Sequence, residues 1–345
     1  MQLMDLIQQK YHVVSVVGMA KNAGKTMTLN KLIDEAMEKH IRLGLTSTGR
    51  DGEKQDLVTM TEKPMIYVEE GTLIATTEGT FKLSEAKLEI LEVTDYYTSM
   101  GRIVIAKAQS SGYVELAGPN TTRDIKAVTE RLLQYGAKVV IVDGAIDRMA
   151  SAAPSVTEAT ILATGAVLSR DMNQVIERTI HQVQLFSLEE VKEQEVRLLA
   201  ESVLENKEYC LIDDDYQVEM IPIQTALNSG QQIGTALKDH TAYVVIGGSL
   251  VTKTIKDIMD VTKKYKQVTF IVKDATRIFV DAKDWLYFVK MGLQVKVLHK
   301  ISPLAVTVNP YAPQGYYFDP MEFRKKMQEY LKHIPVLDVV LGGEA

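Results

Sequence analysis

The chain has 345 residues, 46% of them hydrophobic, which is enough for more than one apolar core and too apolar for wholesale disorder. Its 39 basic residues are outnumbered by 45 acidic ones, and its short basic clusters, such as Lys263, Lys264 and Lys266, read as solvated helix ends, which argues against a nucleic-acid partner. The one cysteine, Cys210, excludes an intramolecular disulfide and a cysteine-built zinc site.

The opening MQLMDLIQQKYH has no apolar core of the kind a secretion signal needs. HVVSVV (residues 12–17) predicts a buried strand. KTMTLNKLIDEAMEK (residues 25–39) predicts a helix with an apolar stripe of Met27, Leu29, Leu32, Ile33 and Met37. RLGLTS (residues 42–47) predicts a second strand, followed by the polar loop TGRDGEKQD (residues 48–56). MIYVEE and TLIATT flank Gly71 and predict a hairpin. KLEILEV (residues 87–93), GRIVIAKA (residues 101–108) and YVELAG (residues 113–118) predict further strands, together a β-rich, antiparallel-looking insertion. TTRDIKAVTERLLQYG (residues 121–136) predicts a helix with a Thr start and a Gly stop. KVVIVDGA (residues 138–145) predicts a strand ending in Asp143. TILATG (residues 160–165) predicts another, and SRDMNQVIERTIHQVQLF (residues 169–186) a helix capped by Ser.

At SLEEVKEQEVRLLAESVLENKE the composition shifts. Residues 187–207 predict a charged helical connector between a first domain, residues 1–186, and a second, residues 208–345. In the second, alternation resumes through EYCLID, YVVIGGSL, VTFIVKD, QVKVLHK, AVTVNP and VLDVVLGG, with helices between them. The small Cys210 fits a buried strand position there. Such alternation predicts an α/β fold in both domains, with mostly parallel sheets. Tyr311, Tyr316, Tyr317 and Phe318 are either an aromatic contact patch or filling for the second domain's core. No apolar run, ATILATGAVL included, reaches the about 20 residues of a membrane span. A reducing cytoplasm is the default compartment, with no membrane partner.

Chemistry concentrates in GMAKNAGKT (residues 18–26), between the first strand and the first long helix. Small residues let backbone N–H groups wrap a phosphate chain, and the helix start favours anions. Asn22, Ala23 and Gly24 form the loop, Lys25 is the phosphate cation, and the Thr26 hydroxyl suits Mg²⁺. Gly18 lies one place too early for the standard G-x-x-x-x-G-K-[ST] spacing; with Met19 in the first position the eight-residue frame fits. Lys21 reads as a solvated loop lysine. Asp143, at a strand's carboxyl end and followed by Gly144, is the acid expected to meet the metal; an Asp-Gly turn is the plainer alternative. In TSTGRDGEKQD, Asp51 is a candidate second metal ligand or water-orienting group, with Glu53 or Asp56 as substitutes and Arg50 as a phosphate contact; an ordinary polar turn at Gly-Arg-Asp-Gly is the alternative. Asp147 and Arg148 form a local pair, or Arg148 meets phosphate. Glu115 and Asn120 either line a site or face solvent.

GMAKNAGKT and the acid-Gly-Ala of IVDGAIDR resemble the dethiobiotin synthetase-like branch of P-loop proteins. With LGLTSTGRDGE, EGTLIATTEG, YVELAGP and TILATGAVLSR, the chain over roughly residues 12–180 is similar to the P-loop reactivase family associated with lysine 5,6-aminomutase. The resemblance implies a P-loop NTPase domain that binds Mg-ATP, with Lys25, Asp51 and Asp143 catalytic and Thr26, Asp51 and Asp143 on the metal. It implies a protein client, a cobalamin-dependent aminomutase, whose damaged cofactor is exchanged. Some relatives in the branch carry an early loop lysine that acts across a dimer; here Ala20 holds that position and Lys21 follows it, so the resemblance extends to a homo-oligomer only through Lys21. The alternatives are an ATP-dependent ligase acting on a small carboxylate and a nucleotide-dependent regulator.

Overall fold

The computed structural model describes residues 2–48, 65–144, 153, 155–223 and 228–340. The chain divides into two units, Met1–Thr179 with Ser302–Ala345, and Ile180–Ile301. The first unit starts with α1 (Leu3–Ile7), β1 (Val13–Gly18), α2 (Lys25–Glu38) and β2 (Leu43–Ser47). There follow β3 (Ile66–Val68), β4 (Leu73–Thr77), α3 (Glu78–Phe81), β5 (Leu88–Thr98), β6 (Gly101–Ala108) and β7 (Gly112–Val114). Then come α4 (Thr122–Gln134), β8 (Val139–Asp143), β9 (Ala159–Gly165) and α5 (Met172–Phe186), within which the unit boundary falls.

The second unit contains α6 (Gln194–Glu205), β10 (Tyr209–Asp213), β11 (Val218–Ile221), α7 (Ser229–Ala236), β12 (Thr241–Ile246) and β13 (Leu250–Val251). It continues with α8 (Thr252–Val261), β14 (Thr269–Val272), β15 (Ile278–Phe279), α9 (Ala282–Lys290) and β16 (Gln294–Val297). Its main sheet has the order β11-β10-β12-β14-β16, with β12, β14 and β16 parallel and β10 antiparallel to β11 and β12. The chain then returns to the first unit as β17 (Pro303–Asn309), α10 (Pro320–Tyr330) and β18 (Val336–Asp338).

The described residues of the first unit build a sheet in the order β18-β17-β9-β1-β8-β2-β4-β6-β5. From β18 to β4 every neighbour is parallel. β6 then runs antiparallel to β4, and β5 to β6. Alternate residues enter different cores, as a sheet covered on both faces requires. Val14, Val16, Val139 and Ile141 meet α1, α2 and the β3–β7 ribbon. Val13, Val140 and Val142 meet Ile125, Val128 and Leu132 of α4. Thr121 caps α4 by accepting the Asp124 N–H, and Gly136 ends the segment at φ 100°.

The mixed α/β architecture and largely parallel sheet agree with the sequence, but several pairings differ. β3 and β4 form no hairpin: β3 pairs with β7 in a separate ribbon, and β4 lies parallel beside β2. Of YVELAG only Tyr113 and Val114 are strand, closing β7 after Gly112. Residues 187–207 are not a bare connector, because Val196, Ala200, Val203 and Leu204 of α6 pack with Cys210, Val245 and Ile271 in the second unit's core. Residues 302–340 were expected in the second domain; β17 instead pairs with β9. At the start of α5, Asp171 accepts the Asn173 N–H, while Ser169 accepts that of Asp171. No helix among the described residues is long and apolar enough to cross a membrane.

Glu35 is the acid buried on the apolar face of α2, 1% exposed. It accepts the Met4 N–H at 2.8 Å and so holds the start of α1. Burial pushes its carboxyl above the ordinary glutamate range, opposed by that hydrogen bond and by Lys31. The folded chain therefore binds this proton more tightly than the unfolded one. The stability this group contributes is full below the ordinary glutamate pKa and is lost as pH rises through the raised value. Glu35→Gln accepts the same amide without ionising. Its thermal midpoint relative to wild type is expected to increase from about pH 4 to about pH 7; calorimetry finding a constant difference would show that Glu35 does not titrate there. Burial also pushes the Cys210 thiol up to about 12, so its alkylation at about pH 8 should track unfolding rather than precede it.

Candidate functional site

β1 ends at Gly18, and the chain turns before α2 begins at Lys25. Two left-handed residues make the turn, Asn22 at φ 64° and Gly24 at φ 98°. Asn tolerates this region better than most residues, and Gly occupies it without steric cost. Gly24 caps α2, and a Cβ there would stand 2.9 Å from Asn309 Cβ. The Met19 N–H donates to Ala163 O at 2.9 Å, and the Ala23 N–H to Ala20 O at 3.2 Å. The Thr28 N–H donates to Gly24 O at 2.9 Å. The amides of Lys25, Thr26 and Met27 precede that first helical bond and have no acceptor within the helix. With the helix dipole they favour an anion.

Parallel pairing sets Val16 of β1 opposite Asp143 of β8. The Gly144 N–H donates to Val16 O at 3.0 Å, fixing the turn that follows. Lys25 Nζ donates to Gly144 O at 2.6 Å and lies 2.9 Å from Asp143 Oδ1. Both side chains are 20% exposed, so water reaches the pair without flooding it. They line a cleft of about 380 Å³. Lys21, Asn22, Gly24 and Thr26 line the same cleft, and Met27, Ile66 and Leu116 give it an apolar wall.

Leu116 is held there by backbone contacts. The Ala117 N–H donates to the Thr76 hydroxyl, which donates in turn to Glu115 O, both at 3.0 Å. Gly118 lies so close to the end of β2 that a Cβ would overlap Ser47 O.

The structure thus brings together Asn22, Gly24, Lys25, Thr26 and Asp143. Ala23 is buried behind the loop. Lys21 lines the cleft as an exposed side chain. Asp51, with Arg50, Glu53, Asp56, Asp147 and Arg148, lies outside the described residues. Glu115 neither faces solvent nor lines the cleft; it is buried, and Leu116 takes the lining position. Asn120 is exposed and away from the lining.

Asn309 was not expected. Its Nδ2 donates to Asn22 O at 3.2 Å, and its Oδ1 accepts the Tyr311 N–H at 3.0 Å. A Cβ on Gly165, at the end of β9, would stand 2.7 Å from Asn309 O and 3.3 Å from Ala23 O. The end of β17 therefore props the loop from behind. The only sequence signal was an Asn-Pro closing the strand AVTVNP.

Among the described residues no three His, Cys, Asp or Glu side chains gather into a metal cage. Mg²⁺ does not need one, since it keeps waters and takes one or two protein oxygens beside phosphate. The residues present fit that pattern. Asp143 Oδ1 is buried with the Lys25 ammonium 2.9 Å away, and the Thr26 hydroxyl lines the same cleft.

Neither known protein families nor curated proteins contain a match to this chain.

Gly24→Ala must place a Cβ at φ 98° and against Asn309. A loss of about 1–3 kcal/mol in unfolding free energy is expected. Denaturation showing no loss would mean that the loop is not under this constraint.

Proposed function

We propose that this chain is a P-loop NTPase that binds Mg-ATP in the Lys25 cleft and couples its hydrolysis to exchange of damaged cobalamin in an adenosylcobalamin-dependent aminomutase, of the lysine 5,6-aminomutase type. The observation that carries the nucleotide part is Lys25 Nζ, at the amino end of α2 and 2.9 Å from the acid that ends the neighbouring parallel strand. A cation, free helix amides and a hydroxyl around one cleft suit a polyphosphate and a hard cation. The client is supported by the resemblance of GMAKNAGKT, IVDGAIDR and the accompanying segments to the aminomutase-associated reactivase family.

Lys25 is held by Asp143 and Gly144 O. On binding it turns to the outer phosphate oxygens, and the α2 amides take the inner ones. Thr26 and the released Asp143 would hold Mg²⁺, which supplies neutralisation of phosphate charge. Because hydrolysis shifts a client only if the nucleotide states bind it unequally, ATP and ADP forms must differ in client affinity.

A second reading is favoured by the wall of Met27, Ile66 and Leu116. That wall suits the carbon body of a small carboxylate that accepts the phosphoryl group, as in dethiobiotin synthetase-like ligases. The test is Mg-ATP turnover with and without an aminomutase carrying inactivated cobalamin, scoring phosphate release and recovered mutase activity. Client-stimulated hydrolysis with recovery is expected. ATP binding with neither effect would discard the client and direct the search to small carboxylates.

Lys25→Ala should abolish ATP binding by calorimetry, and unchanged affinity would overturn the nucleotide assignment. Asp143→Asn should lower turnover at least about tenfold more than it lowers ATP affinity, because its partner is the metal and the transferring phosphate. Equal losses would place Asp143 in ground-state binding alone.

A further inference from the structure

Two residues beyond Asn309 the chain forms a tight turn that the cleft chemistry leaves unused. The Ala312 N–H donates to Tyr316 O at 2.9 Å, the Gly315 N–H to Ala312 O at 3.1 Å, and the Phe318 N–H to Pro310 O at 2.9 Å. Gly315 supplies the left-handed position at φ 85°. The turn is fixed from below. Phe318 and Phe323 are buried with ring centroids 5.2 Å apart. The Tyr316 hydroxyl donates to Ala166 O at 2.7 Å, and the Arg170 guanidinium lies 5.3 Å from the Tyr316 ring. Across the turn, Tyr311 and Tyr317 pair through the backbone and carry their rings into solvent, 42% and 69% exposed. The two centroids are 6.0 Å apart and the rings are tilted by 36°. The four aromatics are therefore neither one contact patch nor one core: the phenylalanine packs, Tyr316 anchors, and two tyrosines remain outside.

The sheet order says which way a nucleotide would run. Asp143 ends β8 on one side of β1, while β9 and then β17 lie on the other. A triphosphate whose outer end meets Lys25 and Asp143 carries its nucleoside toward the opposite side. Neighbouring strands lie about 4.8 Å apart, so β17 is about 10 Å from β1, a separation a ribose can bridge. Asn309, at the end of β17, already lines the cleft and bonds the loop. Tyr311 follows within about 7 Å of chain.

We propose that the turn over residues 310–318 is the platform for the nucleobase, which stacks on Tyr311 and Tyr317. This rests on the nucleotide reading above. Aromatic faces attract any base because every base has a π-face. Such a platform grips the nucleoside while discriminating poorly between purines, and no edge-reading group is needed for affinity.

The experiment separates this platform from the phosphate site. Calorimetry measures Mg-ATP, Mg-GTP and Mg-tripolyphosphate binding to wild type, Tyr311→Ala/Tyr317→Ala and Tyr311→Phe/Tyr317→Phe. Thermal midpoints check that each variant folds. In the double alanine variant the Kd for ATP and for GTP is expected to rise about tenfold or more, the size of one lost base stack. Tripolyphosphate affinity is expected to stay the same, and the phenylalanine variant to retain wild-type nucleotide affinity. Unchanged ATP affinity in the alanine variant overturns the platform, as does wild type binding tripolyphosphate as tightly as ATP. Wild type binding neither ligand overturns the phosphate assignment itself, and the platform with it.

Discussion

The parallel register of β1 against β8, which sets Val16 opposite Asp143, is the constraint from which the cleft follows. Both strands are clad on two faces by apolar side chains. A carboxylate at the end of such a strand has little water beneath it and needs a cation. β1 must leave the sheet two residues after Val16, and the helix it enters begins with Lys25. The short loop thus returns a lysine to the acid beside the strand it left, at 2.9 Å. A one-residue slip would place Asp143 opposite another residue of β1 and exchange the two faces of β8, moving Val140 and Val142 into the wrong core.

Close backbone approach is the second requirement. Gly24 and Gly165 leave room for Asn309 from two sides, and Gly118 lets the 115–118 segment abut the end of β2. Where a side chain would fit, the loop, the end of β17 and the apolar wall could not converge. Buried hydroxyl pairs tie the same elements together. Thr28 on α2 meets Thr307 on β17 at 2.7 Å, and Ser15 on β1 meets Thr160 on β9 at 2.8 Å. Each is worth about 1 kcal/mol net, but leaving one partner buried and unpaired would cost more. They specify which helix and strand sit together more than they add stability.

What was legible in the sequence was local. The six buried residues of β1, the Gly-Lys-Thr start of α2, the Thr cap and Gly stop of α4, and the acid ending β8 all follow from nearest neighbours and periodicity. What was not legible depends on pairing between distant segments. MIYVEE and TLIATT looked like a hairpin because two apolar runs flank a glycine. Their partners are in fact β7 for one, and β2 and β6 for the other. AVTVNP reads as an ordinary strand, and nothing within it names β9 as its neighbour. Asn309 escaped for the same reason: its contact with Asn22 spans 287 positions of chain. α6 looked like a connector because its exposed face is charged, although its apolar face carries a core.

The second unit is inserted between the middle of α5 and β17, and loop-closure physics explains why the sheet tolerates it. The entropy of bringing two chain ends together grows only with the logarithm of the intervening length. A long insertion thus costs little more than a moderate one, provided it satisfies its own core, as the packing around Cys210, Val245 and Ile271 does. The harder demand falls on β17, which must find β9 from a distance and align Ala305 with Ile161. Its run Ala305–Val308 is fully buried, so any slip that exposes it is strongly disfavoured. That register, once made, sets Asn309 beside Gly165 and behind Asn22, and gives the Thr28 hydroxyl its partner. A chain ending before Ser302 would still carry Lys25 and Asp143, but the loop would lose the Asn309 amide that holds Asn22 O. The cleft therefore depends on distant parts of the chain, although most of its polar side chains come from residues 21–26.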